Sequence, residues 1–198
     1  MYPRPIQQLI DAFSHLPGVG PRSAERFVFY LLKSGKKEVA VLTATLAALK
    51  DGILSCQVCW NFSDQSPCRI CTDAARGSTI AVVAEPFDLE VIERTKSYHG
   101  HYHVLRGVIN VANEETLSIL KIPQLLARLK NSAYQEVILA LNPDLPGETT
   151  MLMLERQIKE QFPKMNISRL ARGIPLGGDV RYADDITLVS ALKNRTKL

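Results

Sequence analysis

The chain lacks the motifs that mark several common classes of protein. No apolar run approaches the roughly 18 residues of a membrane-spanning helix. No motif indicates nucleotide binding, because the sequence contains neither G-x-x-x-x-G-K-[S/T] nor G-x-G-x-x-G. The start, Met1-Tyr-Pro-Arg, lacks the long apolar core of a secretory signal peptide. We therefore expect a soluble, cytoplasmic protein that has no membrane partner.

Cysteine is scarce, and every cysteine of the chain lies in one stretch: Cys56, Cys59, Cys68 and Cys71. They form two C-x2-C pairs, and two such pairs can complete the tetrahedral sulfur site that structural zinc prefers. Two disulfides are the alternative, but they need an oxidising compartment, which the missing signal peptide argues against. The stretch predicts a structural Zn2+ with no open position for a substrate, held by a small zinc finger over 56–76.

Charge is modest overall but unevenly distributed along the chain. The net charge is +4, and residues 1–55 carry seven Lys/Arg against four Asp/Glu. Residues 165–198 carry six against three, whereas the middle, 56–164, carries eleven against thirteen. Basic segments at both ends are typical of proteins that bind a polyanion such as nucleic acid.

Residues 1–55 are expected to form a helical domain around a P-G-V-G turn. Gly18 and Gly20 allow backbone N–H groups at the start of the second helix to approach a phosphate oxygen. Arg22 and Arg26, one helical turn apart, add positive charge on the exposed side. The pattern predicts a helix-hairpin-helix that binds the DNA backbone without reading bases. The alternative is an ordinary αα-hairpin with a Gly-Pro turn.

Apolar spacing predicts how the helices after this turn are buried. The second helix, roughly 21–33, is expected to bury Ala24, Phe27, Val28 and Leu31. A third helix over about 36–54 carries an apolar stripe that we interpret as core packing: Val39, Leu42, Leu46 and Leu49.

The second half of the chain alternates between strand and helix patterns. Short apolar runs predict strands at 79–84, 101–105, 136–141 and 166–170. Helical patterns between them are found at 86–96, 122–130 and 147–161. This alternation predicts a parallel α/β sheet over 77–170. The tail, 171–198, begins as a Gly/Pro-rich loop and ends in a helix that Asp184 or Asp185 can cap.

Two acidic residues, Glu85 and Asp144, follow predicted strands at the edge where ligands of such sheets gather. They could hold Mg2+, but a D-x-D pair is absent and the corresponding stretch reads Asn142-Pro143-Asp144. Alternating histidines at 99, 101 and 103 share one face of a strand, where they form either a metal site or a polar strand edge.

The order of these parts resembles the bacterial RecR family of recombination mediators over almost the whole chain. The family implies a mixed α+β architecture: an N-terminal helix-hairpin-helix, a small four-cysteine zinc finger, a C-terminal parallel α/β Toprim-like domain and a tail. The matching pieces are Leu16-Pro-Gly-Val-Gly-Pro-Arg-Ser-Ala24, the four cysteines, Tyr102-His-Val-Leu105, Glu136-Val-Ile-Leu-Ala140, Gly147-Glu-Thr-Thr150 and Arg169-Leu-Ala-Arg-Gly-Ile-Pro-Leu-Gly-Gly178.

The resemblance implies a protein without catalytic activity that assembles into a ring-like homotetramer able to encircle DNA. It would act with RecO and RecF to load RecA on single-stranded or gapped DNA. Arg22 and Arg26 match the family's basic DNA-contacting positions, and the face around Glu85 and Asp144 matches the region implicated in partner binding. The N-terminal helices and the tail match the places where subunits join.

Three departures from the family pattern stand out. Ala84 replaces the usual acid at the end of the first Toprim strand, Arg106 stands where Gly is common, and the segment 106–123 lacks the usual Gly-Pro loop. Two other functions remain open from the residues alone. One is a Toprim-type, Mg-dependent nuclease or strand-transfer enzyme that uses Glu85 and Asp144, and the other is a scaffold that binds only proteins.

Overall fold

The structure, a computed structural model, describes residues 2–110 and 116–196, which fall into two compact units, Met1–Ile53 and Leu54–Leu198. Residues 111–115, which belong to the segment 106–123 that differs from the family pattern, lie outside the described residues. Within the described ranges, none of the helices combines the length and apolar character that a membrane crossing requires.

The first unit consists of three helices: α1 (Arg4–Ser14), α2 (Pro21–Lys33) and α3 (Lys36–Gly52). Proline stands in the first turn of both α1 and α2, where its missing N–H costs no hydrogen bond. A small apolar cluster joins α1 to α2 through Ile10, Ala24 and Val28. The three predicted helices are confirmed, although α3 ends two residues before the predicted Leu54 because that residue begins a strand.

The burial predicted for the first unit is wrong in two places. Phe27 is 45% exposed, and it meets Phe13 of α1 edge to face instead of entering the cluster. Along α3, Leu46 and Leu49 are 58% and 61% exposed, and the helix has no buried residue. The apolar spacing identified α3 but not its burial, since α1, α2 and the turn between them form the cluster without it.

The second unit begins with a small antiparallel pair, β1 (Leu54–Ser55) and β2 (Phe62–Ser63), followed by the one-turn helix α4 (Arg69–Thr72). We call residues 54–76 the zinc clip. Between its two strands Trp60 adopts a left-handed backbone conformation with φ of 65°. The turn is closed by the Trp60 N–H, which donates to the Cys56 carbonyl oxygen at 2.8 Å, and it contains both Cys56 and Cys59.

A parallel four-stranded sheet follows, in the order β4-β3-β5-β6. Its strands are β3 (Thr79–Val83), β4 (His101–Val104), β5 (Glu136–Leu139) and β6 (Asn166–Arg169). The helices are α5 (Pro86–Arg94), α6 (Thr116–Ile119), α7 (Ile122–Lys130) and α8 (Leu145–Gln161). The predicted parallel α/β sheet is confirmed, with each strand one or two residues shorter than its apolar run.

The sheet is covered on both faces, which explains why β3 is apolar from Ile80 to Val83. On one face, residues such as Ile80 and Val82 pack against α7 and α8. On the other face, Val83 and Tyr102 pack against Leu89 of α5 and against two residues of the zinc clip, Trp60 and Ile70. The clip therefore contributes to the core of the second unit.

The tail contains a short 3-10 helix, Val180–Tyr182, and a final helix, α9 (Asp185–Lys193). Asp184 caps α9, because its Oδ1 accepts a hydrogen bond from the Thr187 N–H at 2.9 Å, as predicted. Two apolar side chains of α9, Ile186 and Leu192, are 79% and 65% exposed.

Candidate functional site

The four cysteines converge in the zinc clip. Their sulfur atoms all lie within 4.8 Å of one another, with 3.5 Å between Cys59 and Cys68 and 4.0 Å between Cys56 and Cys71. Tetrahedral zinc with Zn–S bonds of about 2.3 Å places its sulfurs about 3.8 Å apart. The distances fit this ion, and they exceed the roughly 2.05 Å of a disulfide bond. All four thiols are free, so the disulfide alternative is wrong.

The thiols also have the electrostatic surroundings of metal ligands. Burial raises the pKa of Cys56, but backbone N–H groups of Cys59, Cys68 and Val58 outweigh it and lower the value to about 6. The nearby Cys71 thiol, together with burial, raises the pKa of Cys59. Four thiolates so close together repel one another and need a cation between them. The residues present therefore fit a structural zinc ion.

Backbone and side-chain contacts attach the clip to the outer strand of the sheet. The Val104 N–H donates to the Cys59 carbonyl oxygen at 2.8 Å, so the first cysteine turn pairs with the open edge of β4. At the other end of the clip, Arg76 forms an ion pair with Glu93 of α5 and donates to the Gly100 carbonyl oxygen at 2.8 Å. Sequence reasoning missed this attachment, because strand pairing across more than forty positions leaves no local pattern.

The second candidate site is the turn between α1 and α2. Gly18 has φ of +76°, a conformation that side chains disfavour, and Gly20 is the N-cap of α2. No side chain caps this helix start, which leaves it open to an anion. Arg22 and Arg26 lie exposed on the first two turns of α2. The four predicted DNA-binding residues thus share one short segment.

The strand-end carboxylates have structural partners. Asp144 is the N-cap of α8, and its Oδ1 accepts a hydrogen bond from the Gly147 N–H at 2.8 Å. Glu85 is exposed at the N-cap of α5, where its N–H donates to Asp88 Oδ2 at 2.9 Å. In the described part of the chain, the cysteines form the only group of three or more possible metal ligands. Neither carboxylate therefore belongs to such a group among the described residues.

Two arginines near the same edge of the sheet form ion pairs that the sequence did not predict. Glu148 of α8 forms ion pairs with Arg172 and with Arg169, the latter at 3.7 Å. Both arginines also line a cavity of about 320 Å3 that includes Phe87 and Leu170. These ion pairs leave no local pattern in the sequence, since Glu148 and the arginines are about twenty residues apart.

The alternating histidines do not gather around a shared point. His99 precedes β4 and is exposed, His101 is half-buried, and His103 is fully buried with its Nε2 at 2.9 Å from the Lys121 carbonyl oxygen. Burial, reinforced by the charge of Arg128, lowers the pKa of His103 to about 4 even though the Lys121 carbonyl opposes the shift. The interpretation as a polar strand edge is therefore wrong for His103, because Lys121 and its neighbours cover that face.

Taken together, the fold and the site define a zinc-containing protein with a helix-hairpin-helix and a Toprim domain. Family profiles match four successive parts of the chain. They are described as the RecR helix-hairpin-helix at 6–50, the RecR four-cysteine zinc finger domain at 53–73, the Toprim domain at 78–171 and the RecR C-terminal segment at 173–196.

Curated relatives agree with these matches over almost their full length. Recombination protein RecR of Bifidobacterium adolescentis is 46% identical over 195 residues, 98% of this chain and 96% of that protein. Recombination protein RecR of Heliobacterium modesticaldum is 43% identical over 198 residues, 100% of this chain and 98% of that protein. The chain belongs to the RecR family, as the sequence predicted, and the predicted zinc cofactor is confirmed.

Proposed function

We propose that this chain is a DNA-binding mediator of recombinational repair that acts in the cytoplasm. The observation that carries the proposal is the start of α2, an uncapped helix end flanked by two exposed arginines. Its relatives named Recombination protein RecR support the role in recombination. The mediator has no catalytic residue of its own and works by binding and assembly.

DNA binding proceeds through the hairpin turn. Backbone N–H groups next to Gly18 and Gly20 meet a phosphate oxygen, while Arg22 and Arg26 provide positive charge beside it. Such contacts read the phosphate backbone, so the binding tolerates any base sequence and weakens with salt. A single hairpin binds weakly, and several copies in one assembly reach useful affinity by acting on the same DNA.

The assembly is a homotetramer with a ring-like shape. Exposed apolar side chains on α3 and α9, such as Leu46, Leu49 and Ile186, support self-association, because a second chain that covered them would remove apolar surface from water. The protein divides into the hairpin domain 1–55, the zinc finger 56–76, the Toprim-like domain 77–170 and the joining tail 171–198.

Partner proteins bind the strand-end face of the Toprim-like domain. Glu85 is exposed there, and Asp144 lies at the start of α8. RecO and RecF are the partners, and together they transfer RecA onto single-stranded or gapped DNA.

A reconstituted loading assay tests the proposal. RecA assembly is followed on single-stranded DNA covered by single-strand-binding protein, with RecO and RecF present. The native chain should accelerate assembly, an Arg22→Ala/Arg26→Ala variant should accelerate it much less, and a Lys130→Ala/Lys164→Ala control that removes equal charge from exposed positions should match the native chain. No acceleration by the native chain would contradict mediation, and magnesium-dependent cutting of the DNA would favour the enzyme instead.

A further inference from the structure

Arg106 reaches from the end of β4 into the zinc clip. Its Nε donates to the Trp60 carbonyl oxygen and its Nη2 donates to Ser55 Oγ, both at 2.8 Å. The guanidinium also lies 3.9 Å from the centre of the Phe62 ring. One side chain thus contacts β1, β2 and the cysteine turn between them.

The backbone at Arg106 is held in an unfavourable conformation to make these contacts. Its φ is +68°, a region that residues with side chains seldom adopt. The flanking residues fix it there, because Leu105 N–H donates to the Val83 carbonyl oxygen at 2.9 Å and Gly107 N–H donates to that of Ala84 at 3.0 Å. The sharp turn between two fixed residues directs the arginine side chain towards the clip.

A second cation holds the same segment against the clip. Lys121 Nζ lies 4.4 Å from the centre of the Trp60 ring, while its backbone N–H donates to the Leu105 carbonyl oxygen at 2.9 Å. Four thiolates around one Zn2+ leave the clip with a net negative charge, which attracts nearby cations. The clip and the segment after β4 are therefore held together by direct contacts and by opposite charges.

We propose that Arg106 is a positioning residue that couples zinc binding in the clip to the order of residues 105–110. Zinc fixes the carbonyl and hydroxyl groups that Arg106 binds and so strengthens the Arg106 contacts. Because coupling between two sites is reciprocal, Arg106 strengthens zinc binding by the factor by which zinc strengthens those contacts. The coupled segment continues to Ile109, whose N–H donates to Thr150 Oγ1 at 2.8 Å. This coupling goes beyond the proposed DNA binding and does not depend on it.

The coupling is tested by the rate at which a strong chelator removes zinc from the full, zinc-loaded chain. Arg106→Ala should accelerate release about tenfold, since it removes two charge-assisted hydrogen bonds and a cation–π contact. Arg106→Lys should be intermediate, because it keeps the charge but not the fork of donors. Arg106→Gly should resemble Arg106→Ala, although it relieves the positive φ.

Arg128→Ala is the matched control. Arg128 also contacts a carbonyl oxygen, a hydroxyl and a ring, those of Tyr102 and Tyr134, and neither tyrosine belongs to the clip. Zinc release unchanged by Arg106→Ala, or equally accelerated by Arg128→Ala, would overturn the proposal. Fast release in the Ala variant with native release in the Gly variant would also overturn it, since backbone strain would then explain the effect.

A second readout is amide hydrogen exchange of the zinc-loaded chain. Arg106→Ala should raise exchange at Gly107 and at Trp60, whose N–H donates to the Cys56 carbonyl oxygen at 2.8 Å. Faster exchange confined to Gly107, with the Trp60 amide protected as in the native chain, would contradict coupling across the two segments.

Discussion

At the scale of single residues, Cys59 has two separate tasks. Its sulfur belongs to the zinc site, and its carbonyl oxygen accepts a hydrogen bond from Val104 of the sheet. The next residue, Trp60, packs on the second core cluster. A change at the metal is therefore transmitted directly to the sheet edge.

Replacing Cys59 with Ser should abolish zinc retention and destabilise the second unit. The expected loss exceeds the roughly 1 kcal/mol of an average substitution, because the metal holds a clip that contributes to the core. Zinc content and urea unfolding followed by Trp60, the single tryptophan, measure the two effects. Ser66→Ala, also inside the clip, is the control for the metal content. Native zinc content in the Cys59 variant would contradict the four-ligand site.

His103 should make the fold sensitive to acid. Its pKa falls from 6.5 in the unfolded chain to about 4 in the fold, so the unfolded state binds the proton first as the pH drops. This contribution is complete above about pH 6.5 and is lost as the pH falls towards 4. Linkage gives a loss of about 2 kcal/mol between pH 7 and pH 5.

Urea unfolding at the two pH values checks this expectation. His103→Gln should lose about 2 kcal/mol less than the native chain over that interval. His99→Gln, which changes an exposed histidine, serves as the control and should behave like the native chain. Identical acid sensitivity in the native and His103→Gln chains would show that His103 is not the group responsible.

At the scale of secondary-structure elements, the start of α8 depends on close backbone approach. A Cβ at Gly147 would lie 2.0 Å from the Asn142 carbonyl oxygen, so only glycine fits there without movement of the backbone. The same glycine donates its N–H to Asp144, which caps the helix. Asp144 thus has a structural explanation that needs no metal.

Asp144→Ala should cost about 1 kcal/mol of stability through the lost cap. Asp144→Asn should retain most of it, because asparagine caps helices about as well as aspartate. Thermal unfolding with and without Mg2+ measures both variants. If Mg2+ stabilised the native chain and this effect disappeared in both variants, the carboxylate would be a metal ligand and the structural explanation would fail.

Elements with strong local signals could be predicted from the sequence, and their partners could not. Pro21 begins α2 and Gly35 follows its end, and the apolar run of β3 identifies a strand buried on both faces. Cysteine spacing likewise identified the metal site. The exposure of α3 and the pairing of the clip with β4 depend on residues distant in the chain, which no periodicity records.

Arg106 shows the same limit at a single position. The resemblance marked it as a charge where glycine was expected, and its φ of +68° is a conformation that glycine adopts readily. The sequence does not indicate that the side chain would reach Trp60 and Ser55, because those contacts cross about fifty positions.

At the scale of the whole molecule, the two units carry different features. The first unit carries the basic hairpin, and the second carries the zinc clip, the sheet and the tail. The excess of basic residues in the first 55 positions favours a polyanion partner at the hairpin. DNA binding through Arg22 and Arg26 is the claim on which the proposed function depends most.

DNA affinity measured by fluorescence anisotropy over a salt series tests that claim most directly. The native chain should show a steep loss of affinity with salt, and Arg22→Ala/Arg26→Ala should flatten the slope by about 0.7–0.9 for each phosphate contact removed. The Lys130→Ala/Lys164→Ala control should keep the native slope. An arginine variant that binds with native affinity and native slope would contradict the account, because the hairpin would then be only a helical turn.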